Sequence, residues 1–413
     1  MRLNRAAVLA GLLIPVLLMI SCGDTFRPVA NPLPGSGGDP QRLTMSVTVA
    51  DNGGNPGTAT NINVSGDTNI GQLSLGRNPV HAGLQSNFRV FVANQGDDTL
   101  SQFSALQPQT APVTITLPVG SNPVFAHSTE GANMYVAEPG TDMVGVIAGN
   151  ALQAEVAVGS NPVALAETPD GRKLYVVNNG SNDVSVMTTS DRTVSGPIAV
   201  GSSPVWAVMS TDGALLFVVN QGSNSVSVID TATDTNIATI PVGAGPNFAA
   251  YDQSLRRLYV TNRAGNSLSI IKADVTPPVE LVAPVSVAAA PCNGSTPVAL
   301  TALPDGSRVY VANQGSNNVC VLSTTSNLFI RSIGVGTAPA AIGSSFDSTK
   351  VHVAHAGGGT ATDTGGTSVI RTVDDTVAVT IPAPKQDPNC VDPAPPAAPT
   401  CLRQTPTFVV ITQ

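Results

Sequence analysis

The stretch LFVVNQGSNSVSVID spans Leu216–Asp230. Leu215, Phe217 and Val219 fall on one face of an extended chain and Leu216 and Val218 on the other, so both faces are apolar. A strand of that kind is buried on both sides. It stops at Asn220-Gln221-Gly222-Ser223-Asn224, residues that tolerate the positive φ of a tight reversal. Val226 and Val228 then alternate with Ser225 and Ser227, the period-2 mark of a second strand. The stretch reads as a β-hairpin.

The same junction recurs as FVANQGDD (91–98), YVAEPGTD (135–142), YVVNNGSN (175–182), YVTNRAGN (259–266) and YVANQGSN (310–317), with a degenerate HVAHAGGG at 352–359. The junction residues stand at 94, 138, 178, 220, 262, 313 and 355, in steps of 44, 40, 42, 42, 51 and 42. A Gly-x-x-Pro keeps the same beat, from Gly76–Pro79 to Gly336–Pro339. Turns of the TPDG type end at Gly131, Gly171, Gly213 and Gly306. Four short strands in about 42 residues is the scale of one propeller blade. A sandwich would not hold one beat over seven units, and a parallel β-helix would need shorter rungs.

LYVTN at Leu258–Asn262, with SVSVIDTATDTNIATIPVG at Ser225–Gly243, resembles the YVTN β-propeller repeat of bacterial and archaeal surface proteins. The resemblance covers most of the chain after about Met45. It implies an all-β propeller in the cell envelope, on a fold that hosts binding proteins, lactonase-like enzymes and redox enzymes alike. In such propellers the hairpin loop and the blade-to-blade loop lie at one end of the disc. The Asn-Gly clusters and the Gly-x-x-Pro segments are therefore expected to form two rings there.

The beat begins before the seven units. VTVADNGGN at Val47–Asn55 is similar to FVVNQGSN, and DTNIGQLSLG at Asp67–Gly76 is similar to DTNIATIPVG. The N-terminal region thus offers the second, third and fourth strands of an eighth blade, and Pro406–Ile411 offers the first. Eight blades closed by joining the two termini are expected, with a seven-bladed ring as the alternative.

Composition agrees: charged residues make up 11% and aromatics 4% of the 413 residues, and no long window beyond the N-terminus has helical period. Arg2 and Arg5 precede an apolar run, Ala6–Ile20, that ends at Ser21-Cys22. This reads as a secretory signal over residues 1–21, too short for a comfortable membrane span. Leu18-Met19-Ile20-Ser21-Cys22 resembles a bacterial lipobox, which implies that Cys22 is acylated and becomes the first mature residue. Gly23 rather than Asp follows it, which in such lipoproteins favours the outer membrane. The expected location is therefore extracytoplasmic, with the membrane reached through the lipid.

Residues 22–41 read as a flexible tether, 42–384 as the propeller, 385–404 as a Pro-rich segment (PAPPAAP at 393–399) and 405–413 as the closing strand. Of the five cysteines, four remain once Cys22 carries lipid, and an even number in an exported chain suggests disulfides. Locality favours Cys292 with Cys320 and Cys390 with Cys401.

The chain carries a net charge of −8, which excludes a basic nucleic-acid surface. No Gly-x-Ser-x-Gly elbow, phosphate loop, C-x-x-C or dense calcium loop is present, so no catalytic residue, metal or cofactor is assigned. Asp97 and Asp98 read as a solvated turn. Four residues depart from the repeat and become binding candidates. Glu138 and His355 replace the junction Asn; the plainer reading of both is drift in a solvated turn. His81 and Trp206 stand two residues after the Pro of Gly-x-x-Pro, in a column that also holds Phe125, Ala164, Phe248, Ala299 and Ala341. Aromatics there could stack on a sugar or an apolar ligand, or fill the gap between blades, the preferred reading for Phe125 and Phe248. His352 stands in the Tyr/Phe column and reads as packing. The expected function is a lipid-anchored binding or scaffold protein of the envelope, its ligand a protein or glycan. The alternative is a lactonase-like or quinoprotein-like propeller enzyme.

Overall fold

A computed structural model describes residues 45–85, 88–128, 133–357, 364–385 and 404–411. Cys22, Cys390 and Cys401 lie outside the described residues. Within them the chain forms eight four-stranded antiparallel sheets and no helix. Blade 1 occupies 79–116, blade 2 125–157, blade 3 162–199, blade 4 204–241, blade 5 246–286, blade 6 297–334 and blade 7 339–382. Blade 8 joins Met45–Asn52, Asn55–Asn63 and Thr68–Arg77 to Thr405–Ile411.

The termini meet as the repeat requires. Thr405–Ile411 is the first, innermost strand of blade 8 and pairs antiparallel with Met45–Asn52, Val47 opposite Val410 and Val49 opposite Phe408. The innermost strands touch in sequence round the ring, and Thr405–Ile411 packs between those of blades 7 and 1. Closure leaves the ring with no open end between blades.

The core lies between blades. The second strands carry the largest fully buried side chains, among them Tyr135, Tyr175, Tyr259, Tyr310, Phe91 and Phe217. His352 stands in that column, fully buried like the others. At the first residue of several second strands a basic side chain reaches the turn between the third and fourth strands of the following blade. Lys173 Nζ bonds Asp234 at 2.7 Å, Arg308 bonds Asp375 at 2.9 Å and Lys350 bonds Asp67 at 2.6 Å.

The Asn cluster proves to be internal scaffolding. Asn220 is fully buried, and its amide donates to Ser225 Oγ at 3.2 Å and Ser227 Oγ at 3.0 Å on the third strand. Ser227 Oγ in turn accepts the N–H of Gly201, the first residue of Gly-x-x-Pro. Asn94, Asn178 and Asn262 do the same with Ser101, Ser185 and Ser269. Gly201 must be glycine because a Cβ there would lie 2.8 Å from the Asn220 side chain.

Four residues past the junction, Asn224 Oδ1 accepts the N–H of Gly245 in the next blade's loop at 2.7 Å. Asp98, Asp142, Asn182, Asn266 and Asn317 make the equivalent bond to Asn122, Asn161, Ser203, Thr296 and Ala338. Asp97 and Asp98 lie in a half-exposed turn, where Asp98 staples blade 1 to blade 2 and Asp97 pairs with Arg77. The two loop families do meet at one end of the disc, since Gln221 and Gly222 donate their N–H groups to Ser203 and Ser202.

Cys292 and Cys320 form a disulfide with Cα atoms 5.3 Å apart. Cys320 takes the place of the third-strand Ser, and Asn313 Nδ2 points at its sulfur at 3.1 Å. The bridge spans 28 residues and ties the end of the long insertion to blade 6. Closing a loop of that size contributes about 3–4 kcal/mol by the chain-entropy estimate.

Candidate functional site

The column two residues after each Pro places one side chain per blade on an innermost strand. His81, Phe125, Ala164, Trp206, Phe248, Ala299, Ala341 and Phe408 each pair with the residue just before the junction position or its blade 8 counterpart, as Trp206 pairs with Val219 and Phe408 with Val49. Five of these eight side chains are rings, and they touch. Phe408 lies 4.5 Å from His81, which stacks on Phe125 at 3.9 Å, centroid to centroid. Phe125 meets Trp206 edge-on at 5.4 Å, and Trp206 meets Phe248 at 4.5 Å. The Phe125–Trp206 contact spans blade 3, where the column holds only Ala164. The result is an arc of rings from blade 8 to blade 5, completed by the small Ala299 and Ala341 of blades 6 and 7.

Phe125 and His81 are buried, while Trp206, Phe248 and Phe408 remain partly exposed. The arc's polar atoms bond between blades. Trp206 Nε1 donates to the Ala249 carbonyl at 3.1 Å. His81 Nδ1 accepts the Ala126 N–H at 3.3 Å, and His127 Nε2 accepts the Glu167 N–H at 3.3 Å. These bonds need neutral imidazoles. Burial lowers the His81 pKa to about 3, with His127 adding to the effect, and burial lowers that of His127 to about 4. The arc is therefore an uncharged aromatic surface at neutral pH, suited to stacking on apolar or CH-rich faces.

The structure brings together two of the four candidates, His81 and Trp206, 6.4 Å apart. It separates the other two. Glu138 ends the second strand of blade 2 and His355 lies in that of blade 7, each at most 1% exposed. Neither occupies a solvated turn: the junction position is buried in all of blades 1 to 7, and neighbouring glycines leave room for the larger side chains. The third-strand residue facing Glu138 is Gly145 instead of Ser, and a Cβ there would stand 2.3 Å from Glu138 Oε1. His355 lies over Gly336 and opposite Gly366. Reading that third-strand column beside the junction column would have shown the first exchange. Phe408 was missed as a candidate, although its spacing from Pro406 matches that of Trp206 from Pro204.

A concavity lies on the rim between the outer strands of blades 3 and 4. It measures about 510 Å³ and is lined by Val186, Ser195, Pro197, Ile198, Asp234 and Asn236 among others. Among the described residues no three His, Cys, Asp or Glu side chains gather as metal ligands.

The model of the family described as YNCE-like beta-propeller matches residues 47–350. No curated protein matches the chain. Among solved structures, Kuenenia stuttgartiensis hydrazine synthase is similar at 19% identity and a TM-score of 0.57, over 71% of this chain and 95% of that one. Virginiamycin B lyase from Staphylococcus aureus is similar at 15% identity and a TM-score of 0.54, over 67% and 90%. A candidate 6-phosphogluconolactonase from Bacteroides fragilis is similar at 16% identity and a TM-score of 0.57, over 74% and 99%. At these identities the likeness is one of fold.

Proposed function

The chain belongs to the YNCE-like β-propeller family, and from that premise we propose that it is a lipid-anchored binding protein of the bacterial envelope that presents its aromatic arc to a protein or glycan. The observation that carries this reading is the contiguous arc Phe408–His81–Phe125–Trp206–Phe248. A repeat that closes equally well on Ala164, Ala299 and Ala341 does not need five rings in that column. Half-buried aromatics in an uncharged setting are the usual anchors of binding surfaces. The ligand stacks on the exposed edges of Trp206, Phe248 and Phe408.

The anchor rests on the basic start, the apolar run and Cys22, and Gly23 directs it to the outer membrane. A buried disulfide suits an oxidising, extracytoplasmic compartment. The binding reading requires no cofactor. An enzymatic reading draws on the names of structural neighbours alone, and a shared fold supports many unrelated activities.

Fractionating cells that express the Cys22→Ser variant tests the anchor. Wild-type protein is expected in the detergent-free membrane pellet and the variant in the soluble extract. Equal partition of both would overturn the lipid anchor and leave the binding surface to be judged separately.

A further inference from the structure

Blade 2 breaks a row that runs across the neighbouring sheets. In blade 4 the row reads Asn220, Ser227, Thr239, and in blade 1 it reads Asn94, Ser101, Thr114, each member facing the next across the strands. In blade 2 it reads Glu138, Gly145, Glu155. The carboxyl of Glu138 lies on the bare face of Gly145, and Glu155 is the cross-strand partner of Gly145 on the exposed fourth strand, Ala151–Ala157. Glu138 is fully buried, and no backbone or side-chain donor among the described residues bonds either of its carboxyl oxygens. Two carboxylates that face each other offer only acceptors, and a single proton turns one of them into a donor.

We propose that Glu138 and Glu155 hold one proton between them, and that this proton latches the outer edge of blade 2. Its release to solvent as pH rises leaves two facing carboxylates and loosens that edge. The charged groups acting on Glu138 are all acidic: Glu155 from the fourth strand and Asp98 from the hairpin of blade 1. Asp98 is already committed to the N–H groups of Gly120 and Asn122, and Asp142 in the hairpin of blade 2 to that of Asn161. His127 on the first strand is neutral. The Glu138 pKa is raised to about 8, by burial first and by Glu155 second.

When the edge opens, Glu138 regains an ordinary carboxylate pKa, so the closed state binds more protons than the open one. Raising pH from about 4.5 to about 8 therefore favours opening, by up to about tenfold per pH unit, and the effect levels off above that window.

Amide hydrogen exchange across this range, corrected for intrinsic rates, reads the effect directly. Protection at Val144 and Val146 is expected to fall with pH in the wild type and to stay flat in Glu138→Gln. Val226 and Val228 of blade 4 serve as internal controls and should stay flat in both. Should Glu138→Gln fold poorly, the double variant Glu138→Asn/Gly145→Ser supplies the first two members of the blade 4 row, removes the buried carboxyl and should also give a flat profile. A flat wild-type profile, or the same slope in wild type and variants, would overturn the proposal.

Discussion

Two positions in each repeat, 13 or 14 residues apart on adjacent strands, behave differently around the ring. The junction position is Asn in five blades, and each of those Asn side chains is fully buried and donates to the third strand. Where it changes, to Glu138, a second strand changes with it, at Gly145. The inner-strand column follows no such rule and alternates between rings and alanine without compensation in the blade frame. The first position is fixed by the hydrogen bonds that hold a blade together. The second is released from that duty, and it is where the rings have collected. A repeat protein thus separates scaffold from surface by position within the repeat rather than by domain.

The strand Thr405–Ile411 belongs to both sides of this contrast, since it closes the ring and carries Phe408. Deleting residues 405–413 should have the largest effect: the Met45–Asn52 edge and the flanking inner strands lose their partner, and soluble expression should collapse into aggregate. Size-exclusion chromatography and thermal melts check it. A truncated protein with unchanged melting temperature would refute the closure.

Asn220→Ala attacks the scaffold position alone. It removes the amide that donates to Ser225 and Ser227 Oγ and opens a void over Gly201. A loss of about 2 kcal/mol is expected in denaturant unfolding. Substituting the exposed Asn55, which accompanies the degenerate turn of blade 8, should change stability by less than about 0.5 kcal/mol.

A separate effect comes from pH. Burial lowers the His352 pKa to about 4, with Lys350 adding to it, and His81 and His127 are lowered as well. The folded protein keeps these imidazoles neutral while the unfolded chain protonates near pH 6.5. Their contribution is complete above about pH 6.5 and is lost as pH falls through the acid range, by at most about 1.4 kcal/mol per pH unit for each ring. Glu138 acts with the opposite sign. His352→Phe, which supplies the residue found at Phe91 and Phe217, should flatten the fall in melting temperature between about pH 6.5 and pH 5 by roughly a third. An unchanged slope would place the pH dependence elsewhere.

Most of the fold was legible in the sequence because one beat repeats with its turns in place. VTVADNGGN and Pro406–Ile411 could be assigned to an eighth blade by matching them to complete copies. What the sequence hid was the environment of single side chains. A polar Asn after an apolar run looks like a turn residue exposed to water, yet Asn94, Asn178 and Asn262 are sealed beneath the loop they precede. Glu138 and His355 looked like drift for the same reason, since burial of a large polar group depends on Gly145, Gly336 and Gly366, which stand on other strands or loops. The rings were visible one by one, but their contact across Ala164 depends on how far neighbouring inner strands stand apart, and no spacing in the chain encodes that distance.

Trp206 is the chain's one tryptophan, so its emission reports the arc without a label. Soluble bacterial envelope glycans and a detergent extract of envelope proteins, titrated separately into the propeller, test the central claim. One of the two should give a saturable change in Trp206 emission, and the Phe248→Ala/Phe408→Ala variant should lose at least about tenfold in affinity for it while keeping its fold. Equal affinity in wild type and variant, or capture of a ligand with no response from Trp206, would contradict the assignment of the arc as the binding surface.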